Sequence, residues 1–337
     1  MKDIELPRKV VTGDGAIDSI ADIADELRLW GDSIVISDQV TKDIAGDKVS
    51  CALKSQVYMV TGPADEEVEK ILAEIKKGTS IKYIVGVGGG KIIDITKVVA
   101  LKAKLPFLSI PTAASHDGIV SPQASIKGKT PMSIKAHSPL AVIADTAILR
   151  KAPPRLTAAG CADAISNYTA VLDWKLANKE KGEYYGDYAA VLAMLSAEIV
   201  IHNADKIKDD ISILVESLIS SGVAIGIAGS SRPCSGSEHS FSHALDIMCP
   251  HPALHGEQCG VGTIMMAYLH SAEWELIRDA LKKVGAPTTA KELGIEDNYI
   301  IEALTKAHSI RERYTILRDG LSIEKATELA RSTGVIE

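Results

Sequence analysis

No stretch of this chain has the makings of a membrane span or a secretion signal. The most apolar long segment, residues 211–230, is interrupted by Glu216, several serines and Gly222, so it is expected to be a buried helix with no membrane insertion. The opening residues MKDIELPRKV lack the apolar core of a signal peptide, which points to a cytoplasmic protein. Cysteine is sparse and unpatterned. Cys51, Cys161, Cys234, Cys249 and Cys259 form no CxxC and are odd in number, which favours reduced thiols over a disulfide framework. Positive charge is in deficit, with a formal net charge of −7, and this argues against a general nucleic-acid surface. A small anion can still be held locally by a few basic groups or a helix N-terminus. Aromatic residues make up only 4%, yet 46% of the 337 residues are hydrophobic, which excludes a disordered or fibrous chain and suffices for two domains of ordinary size. There is no internal repeat and no low-complexity tract.

What is present changes character part-way along. The first part alternates short β-branched runs with helical stretches. VVTGDGA leads into the amphipathic IDSIADIADELRLW; SIVISD, a helix over residues 40–52 and VYMV follow; then come PADEEVEKILAEIKK, IKYIVGVGGG, DITKVVALKAK and PFLSIPT. Such alternation predicts a parallel sheet with helices on both faces. Residues 121–139 alternate polar and apolar around Gly128 and Pro131, which predicts a hairpin, and AVIAD returns to a buried strand. APPR, residues 152–155, marks a boundary, beyond which nearly everything is helical. The expected organisation is a Rossmann-like α/β dinucleotide-binding domain over residues 1–150 and an all-helical domain over residues 151–337.

Two loops stand out in the first domain. GVGGGKIID, residues 86–94, follows an apolar strand and opens a helix, where glycines let backbone approach a phosphate and helix N–H groups attract it. It matches neither GxGxxG, because Lys91 stands where the last glycine belongs, nor the Walker A loop. SIPTAASHDG brings the small residues Thr112, Ala113, Ala114 and Ser115, then His116, Asp117 and Gly118, to the carboxyl edge of the sheet, where open α/β folds bind ligands. Two such loops at one edge favour a dinucleotide over a purely structural turn. Asp38, ending SIVISD, suits an adenosine ribose or a helix N-cap equally.

The second domain concentrates histidine. SGSEHSFSHALD, residues 235–246, sets His239 and His243 four residues apart, on one face if helical, and His255 follows in LHGEQ. HSFSH lacks the glutamate of HExxH, so a zinc-protease role has no general base. Asp163, among the small residues of AAGCADAISNY, would complete with His239 and His255 a three-ligand set that leaves a position open, as catalytic zinc requires. Packed or solvent-facing histidines would give the same spacing, and Cys259 is a rival ligand. The turn RPCSGS, residues 232–237, offers Arg232, hydroxyls and helix-start N–H groups to a phosphate, or simply an N-cap with a surface arginine.

Taken together, GVGGGKIID, PTAASHDGIVS, CADAISN, SGSEHSFSHALD and LHGEQCGVGT resemble the sn-glycerol-1-phosphate dehydrogenase family, within the wider group of glycerol dehydrogenases, iron-dependent alcohol dehydrogenases and dehydroquinate synthases. The glycine loop is common to that whole group, whereas TAASHDG, SGSEHxFSHALD and HGEQ are specific to the glycerol-1-phosphate branch. The resemblance implies a dehydroquinate synthase-like fold and NAD(P)H-dependent reduction of dihydroxyacetone phosphate to sn-glycerol 1-phosphate, the backbone of archaeal-type ether lipids, with one Zn2+ per subunit. It implies zinc ligation by Asp163, His239 and His255. It also implies pyrophosphate contacts from Gly88, Gly89, Gly90, Lys91 and Asp94, and a nicotinamide side lined by Thr112, Ala113, Ala114, Ser115 and Ser121. Asp117 and His243 would face the substrate, as would Asp163, with Asp117 and His243 as the catalytic pair. Serine or another residue often stands at the position of Lys91 in that family. A homo-oligomer is expected for the class. The rivals are a metal-dependent glycerol dehydrogenase acting on unphosphorylated polyols and a dehydroquinate synthase-like lyase, which should need a denser cluster of Lys and Arg.

Overall fold

The structure is a computed structural model that describes residues 4–77, 80–126 and 132–337. The chain divides into two units, Met1–Pro153 and Pro154–Glu337.

In the first unit β1 (Lys9–Gly13), β2 (Asp32–Ser37), β3 (Gln56–Met59), β4 (Ile81–Gly88), β5 (Phe107–Pro111) and β8 (Ala141–Asp145) form one parallel sheet in the order β1-β8-β5-β4-β2-β3. The expected hairpin is a separate antiparallel pair, β6 (Gln123–Ile126) with β7 (Met132–Lys135). Its expected turn residues Gly128 and Pro131 lie outside the described residues, as do residues 1–3 of the N-terminal segment. Strands covered on both faces read as unbroken apolar runs, and successive side chains go to opposite sides. Ile34, Ile36 and Ile84 pack under Val68, Ile71, Ile95 and Val99, whereas Val35, Val85 and Val87 pack against Ile17, Ile20, Ile23 and Val49.

The helices here are α1 (Ile20–Glu26), α2 (Gln39–Thr41), α3 (Asp47–Leu53), α4 (Ala64–Lys77), α5 (Gly90–Ala103) and α6 (Thr146–Leu149). Two differ from expectation. The helix expected to run to Trp30 stops at Glu26, Arg28 takes a positive φ, and Trp30 is exposed with its indole N–H donated to Asp25. The helix expected over residues 40–52 is broken by a wide turn at Lys42–Gly46. Gly46 lies against Ser37, where an added Cβ would come 3.3 Å from the hydroxyl, so contact with β2 overrides a continuous helix.

The second unit runs α7 (Pro154–Lys181), α8 (Asp187–His202), α9 (Ser212–Ala228), α10 (Ser237–Met248), α11 (His255–Leu269), α12 (Trp274–Val284), α13 (Ala290–Leu293), α14 (Asp297–Ile310) and α15 (Ile323–Ser332), with no strand among the described residues. The apolar α9 is buried, and the serines that interrupt it have partners: Asn167 donates to Ser221 at 2.8 Å and to Ser196 at 2.9 Å, which ties α7, α8 and α9 together. Among the described residues no helix is long and apolar enough to cross a membrane.

Candidate active site

In the first unit the strand order reverses between β2 and β4, and such switch points leave a crevice at the carboxyl ends of the strands. Gly88 ends β4, and Asp38 and Thr112 follow the neighbouring strands β2 and β5, at that edge. Ser37 donates its hydroxyl to the Val87 carbonyl at 2.9 Å, and the Thr112 N–H reaches the Gly88 carbonyl at 3.0 Å. Gly89 is the N-cap of α5; its carbonyl accepts the Ile92 N–H at 3.0 Å, but with no side chain it offers no capping oxygen to the N–H groups of Gly90 and Lys91. A Cβ on Gly88 would come 2.7 Å from Ile92, which lets the chain turn tightly into α5.

His116 joins the two loops. Its Nδ1 accepts the Gly118 N–H at 2.7 Å, and its ring lies over Gly90, where a Cβ would come 2.1 Å from Nε2. No role for this ring is evident from the sequence; the signal was a histidine two residues before a glycine in SHDG. The other expected residues divide. Thr112, Ala113, Ala114 and Ser121 are buried, whereas Ser115 and Asp117 are half-buried in the same loop. Lys91 is exposed and donates to the Gly62 carbonyl at 2.9 Å. Asp94 is buried with both oxygens engaged, by Lys97 at 3.2 Å and by the Ser125 N–H at 3.1 Å, so it fastens the hairpin to α5. Asp38 caps α2, accepting from the Thr41 N–H at 2.8 Å, which favours the N-cap alternative for it.

In the second unit helix packing assembles a donor cluster. A Cβ on Gly256 would come 2.0 Å from the Ala159 carbonyl oxygen, and one on Gly260 2.9 Å from Ala162. Residues four apart share a helix face, so these glycines let α11 lie directly on the small-residue face of α7. That contact brings Asp163 to His255 and Cys259, and α10 adds His239. One ligand atom from each of these four lies within 4.8 Å of those of the others. Nε2 of His239 and of His255 are each 3.9 Å from Asp163 Oδ1. Each ring is held from behind, His239 Nδ1 by the buried Glu238 carboxylate at 2.9 Å and His255 Nδ1 by the Ser242 hydroxyl at 3.0 Å. Outward-bonded Nδ1 atoms with inward-turned Nε2 atoms are how metal-binding imidazoles are oriented. A carboxylate, two imidazoles and a thiol suit a divalent cation such as zinc.

Charge around the cluster is arranged to match. Burial pushes Glu238 upward, but His239 and the Gly236 N–H outweigh it and hold the carboxyl below its usual range. Burial, then the Asp163 and Glu238 charges, push the Cys259 thiol well above its usual value. His243 lies beside this group, its ring centroid 5.6 Å from that of His255, and its Nε2 accepts from Arg311 at 2.6 Å.

Of the phosphate donors considered in the RPCSGS turn, Arg232 and the helix-start N–H groups do not serve. Arg232 is neither a surface residue nor available to an anion: it is buried, forked onto the Glu183 carboxylate and bonded to the Tyr314 carbonyl. The Gly236 and Ser237 N–H groups are likewise taken, by Glu238 and Asp173.

A family model described as iron-containing alcohol dehydrogenase matches residues 11–153. Glycerol-1-phosphate dehydrogenase, NAD(P)+, of Methanosarcina mazei is 52% identical over 99% of this chain and 96% of its own length. The chain belongs to the glycerol-1-phosphate dehydrogenase family. The family member from Pyrococcus horikoshii is also 52% identical, over 99% of each chain. Among solved structures, that of a probable glycerol dehydrogenase from Sinorhizobium meliloti 1021 matches with a TM-score of 0.80 at 22% identity, covering 99% of this chain and 98% of that one, and shares the fold. The parallel-sheet domain with a helical second part, expected from the sequence, is the architecture of this wider group.

Proposed function

We propose that the chain reduces dihydroxyacetone phosphate to sn-glycerol 1-phosphate with NADH or NADPH, using a zinc ion held by Asp163, His239 and His255. The observation that carries this is the convergence of these three side chains, with both imidazoles turned inward by Glu238 and Ser242, in a chain of this family. A cation bound there supplies Lewis-acid polarisation of the ketone oxygen and stabilises the charge that grows on it. The nicotinamide supplies the hydride.

The residues do the rest. Glu238 and Ser242 keep protons on Nδ1 of His239 and His255 and so leave Nε2 as the donor atom. His243, with Arg311 donating to its Nε2, carries its own proton on Nδ1, 4.0 Å from Asp246; that Nδ1 proton is the one it gives to the product oxygen, and water restores it. Asp117 and Asp163 orient substrate hydroxyls. Gly88, Gly89, Gly90 and Lys91 receive the cofactor pyrophosphate at the start of α5, with Asp94 setting the loop's backing, and Thr112, Ala113, Ala114, Ser115 and Ser121 line the nicotinamide side. Asp38 caps α2 through Oδ1 and, standing at the switch point, turns its other oxygen to the ribose side.

The same reading makes the protein a cytoplasmic enzyme of lipid-backbone synthesis, supported by its free cysteines. It also makes it a homo-oligomer, supported by the exposed Tyr188, Val191 and Leu195 along α8. The test is consumption of NADH or NADPH by the zinc-loaded protein with dihydroxyacetone phosphate and, separately, with dihydroxyacetone, followed by chiral analysis of the product. Turnover confined to the unphosphorylated ketone, or a product of the opposite hand, would sink the proposal.

A further inference from the structure

The chain after α14 carries two arginines whose surroundings differ from those of the other arginines near the cluster. Arg155 is forked onto Glu257 at 2.6 and 2.7 Å, and Arg232 onto Glu183. Arg311 and Arg313 have no such partner: among the described residues no carboxylate lies at ion-pair distance from either. Every hydrogen bond they make goes to a neutral acceptor. Arg311 donates to the Ser235 hydroxyl at 3.1 Å and to His243 Nε2 at 2.6 Å, and Arg313 donates to the Ser231 hydroxyl at 2.9 Å and to the Ser235 carbonyl. Both are partly enclosed. Burial, then the charges of Arg311 and Arg232, pull Arg313 down to about 10. Glu238 and Glu183 act on them only from beyond ion-pair distance, and two adjacent cations partly withdrawn from water without a paired carboxylate are costly unless an anion joins them.

The surrounding structure holds them in that state. Asp173 accepts the Ile316 N–H at 2.7 Å and the Ser237 N–H at 2.7 Å, and so clamps the 311–317 segment to the start of α10. Arg232 grips the Tyr314 carbonyl next to Arg313 while its own charge is satisfied by Glu183. The position is also selective. Arg311 touches His243, whose ring is next to that of His255, so one imidazole separates the paired guanidiniums from the donor cluster. A short molecule with an anionic group at one end and a ligating oxygen a few atoms away spans that interval.

We propose that Arg311 and Arg313, with the Ser231 and Ser235 hydroxyls, form the subsite that takes the substrate phosphate and sets the preference for a phosphorylated over a free ketone. The proposal rests on the function proposed above. Planar guanidinium forks match phosphate oxygens in a way that serine and imidazole acceptors do not, so a dianion displaces the neutral partners.

The test compares zinc-loaded wild type, Arg313→Gln and Arg311→Gln by the ratio of kcat/KM for dihydroxyacetone phosphate to that for dihydroxyacetone. The expected result is a fall in this ratio of roughly thirtyfold or more in each variant, the size of one lost charge-assisted hydrogen bond. In the wild type, inorganic phosphate should compete with dihydroxyacetone phosphate and leave turnover of dihydroxyacetone undiminished. An unchanged ratio, a rise in the KM for NADH in place of the ratio change, or no competition by inorganic phosphate in the wild type overturns the proposal. Failure of the functional reading looks different: the wild type then turns over neither ketone, or only the unphosphorylated one, while calorimetry of inorganic phosphate binding to wild type and to Arg313→Gln still reports on the arginines.

Discussion

The two units solve the problem of holding a small ligand in opposite ways. At the edge of the sheet the candidate cofactor site is made of main chain, and its residues matter for what they leave out: Gly88 and Gly90 make room for Ile92 and His116. In the helical unit the candidate metal centre is made of side chains from three helices, its two imidazoles each fixed by a second partner behind it. A site of the first kind should fail when an atom is added, and a site of the second kind when an atom is removed.

The sharpest break is expected from His239→Ala. Losing an inward imidazole should release the metal, measured by atomic absorption after dialysis, and lower kcat/KM by about a hundred- to a thousandfold. Next comes Glu238→Gln, which leaves every metal ligand in place and should weaken metal affinity about ten- to a hundredfold in a chelator competition. An unchanged affinity would show that the buried carboxylate merely fills space. At the sheet edge Gly90→Ala should raise the KM for NADH roughly tenfold with metal content unaltered, because the added methyl lands on His116. The smallest effect is expected at the neighbouring Gly89, where a Cβ meets nothing within 4 Å: Gly89→Ala should change the KM for NADH by no more than about twofold. If Gly89→Ala and Gly90→Ala behave alike, the steric account of this loop is wrong.

The sheet was legible because buried parallel strands are near-continuous apolar runs, and β4, buried along IVGVG, is the plainest of them. The clustering of Asp163, His239 and His255 was legible from the histidine spacing in SGSEHSFSHALD and LHGEQ and from the small residues around Asp163, which is what close helix packing requires. The break at Lys42–Gly46 was hidden, since it depends on a contact with Ser37 that local pattern does not encode. Arg232 was misjudged for a similar reason. Its partner Glu183 lies 49 residues away, and nothing in RPCSGS announces it. Arg311 and Arg313, in SIRERY, look like a solvated charge run. Only the fold encloses them against Ser231 and Ser235 without an acid.

The glycine seam between α11 and α7 has a consequence for ion choice. Where two helices touch through backbone, nothing between them is compressible, so the span from His255 to Asp163 is gauged like a fixed jaw. An ion of larger radius has to force the seam apart, and a smaller one rattles in it. Fit by size would therefore be settled at Gly256 and Ala159, one residue from His255 and one helical turn from Asp163.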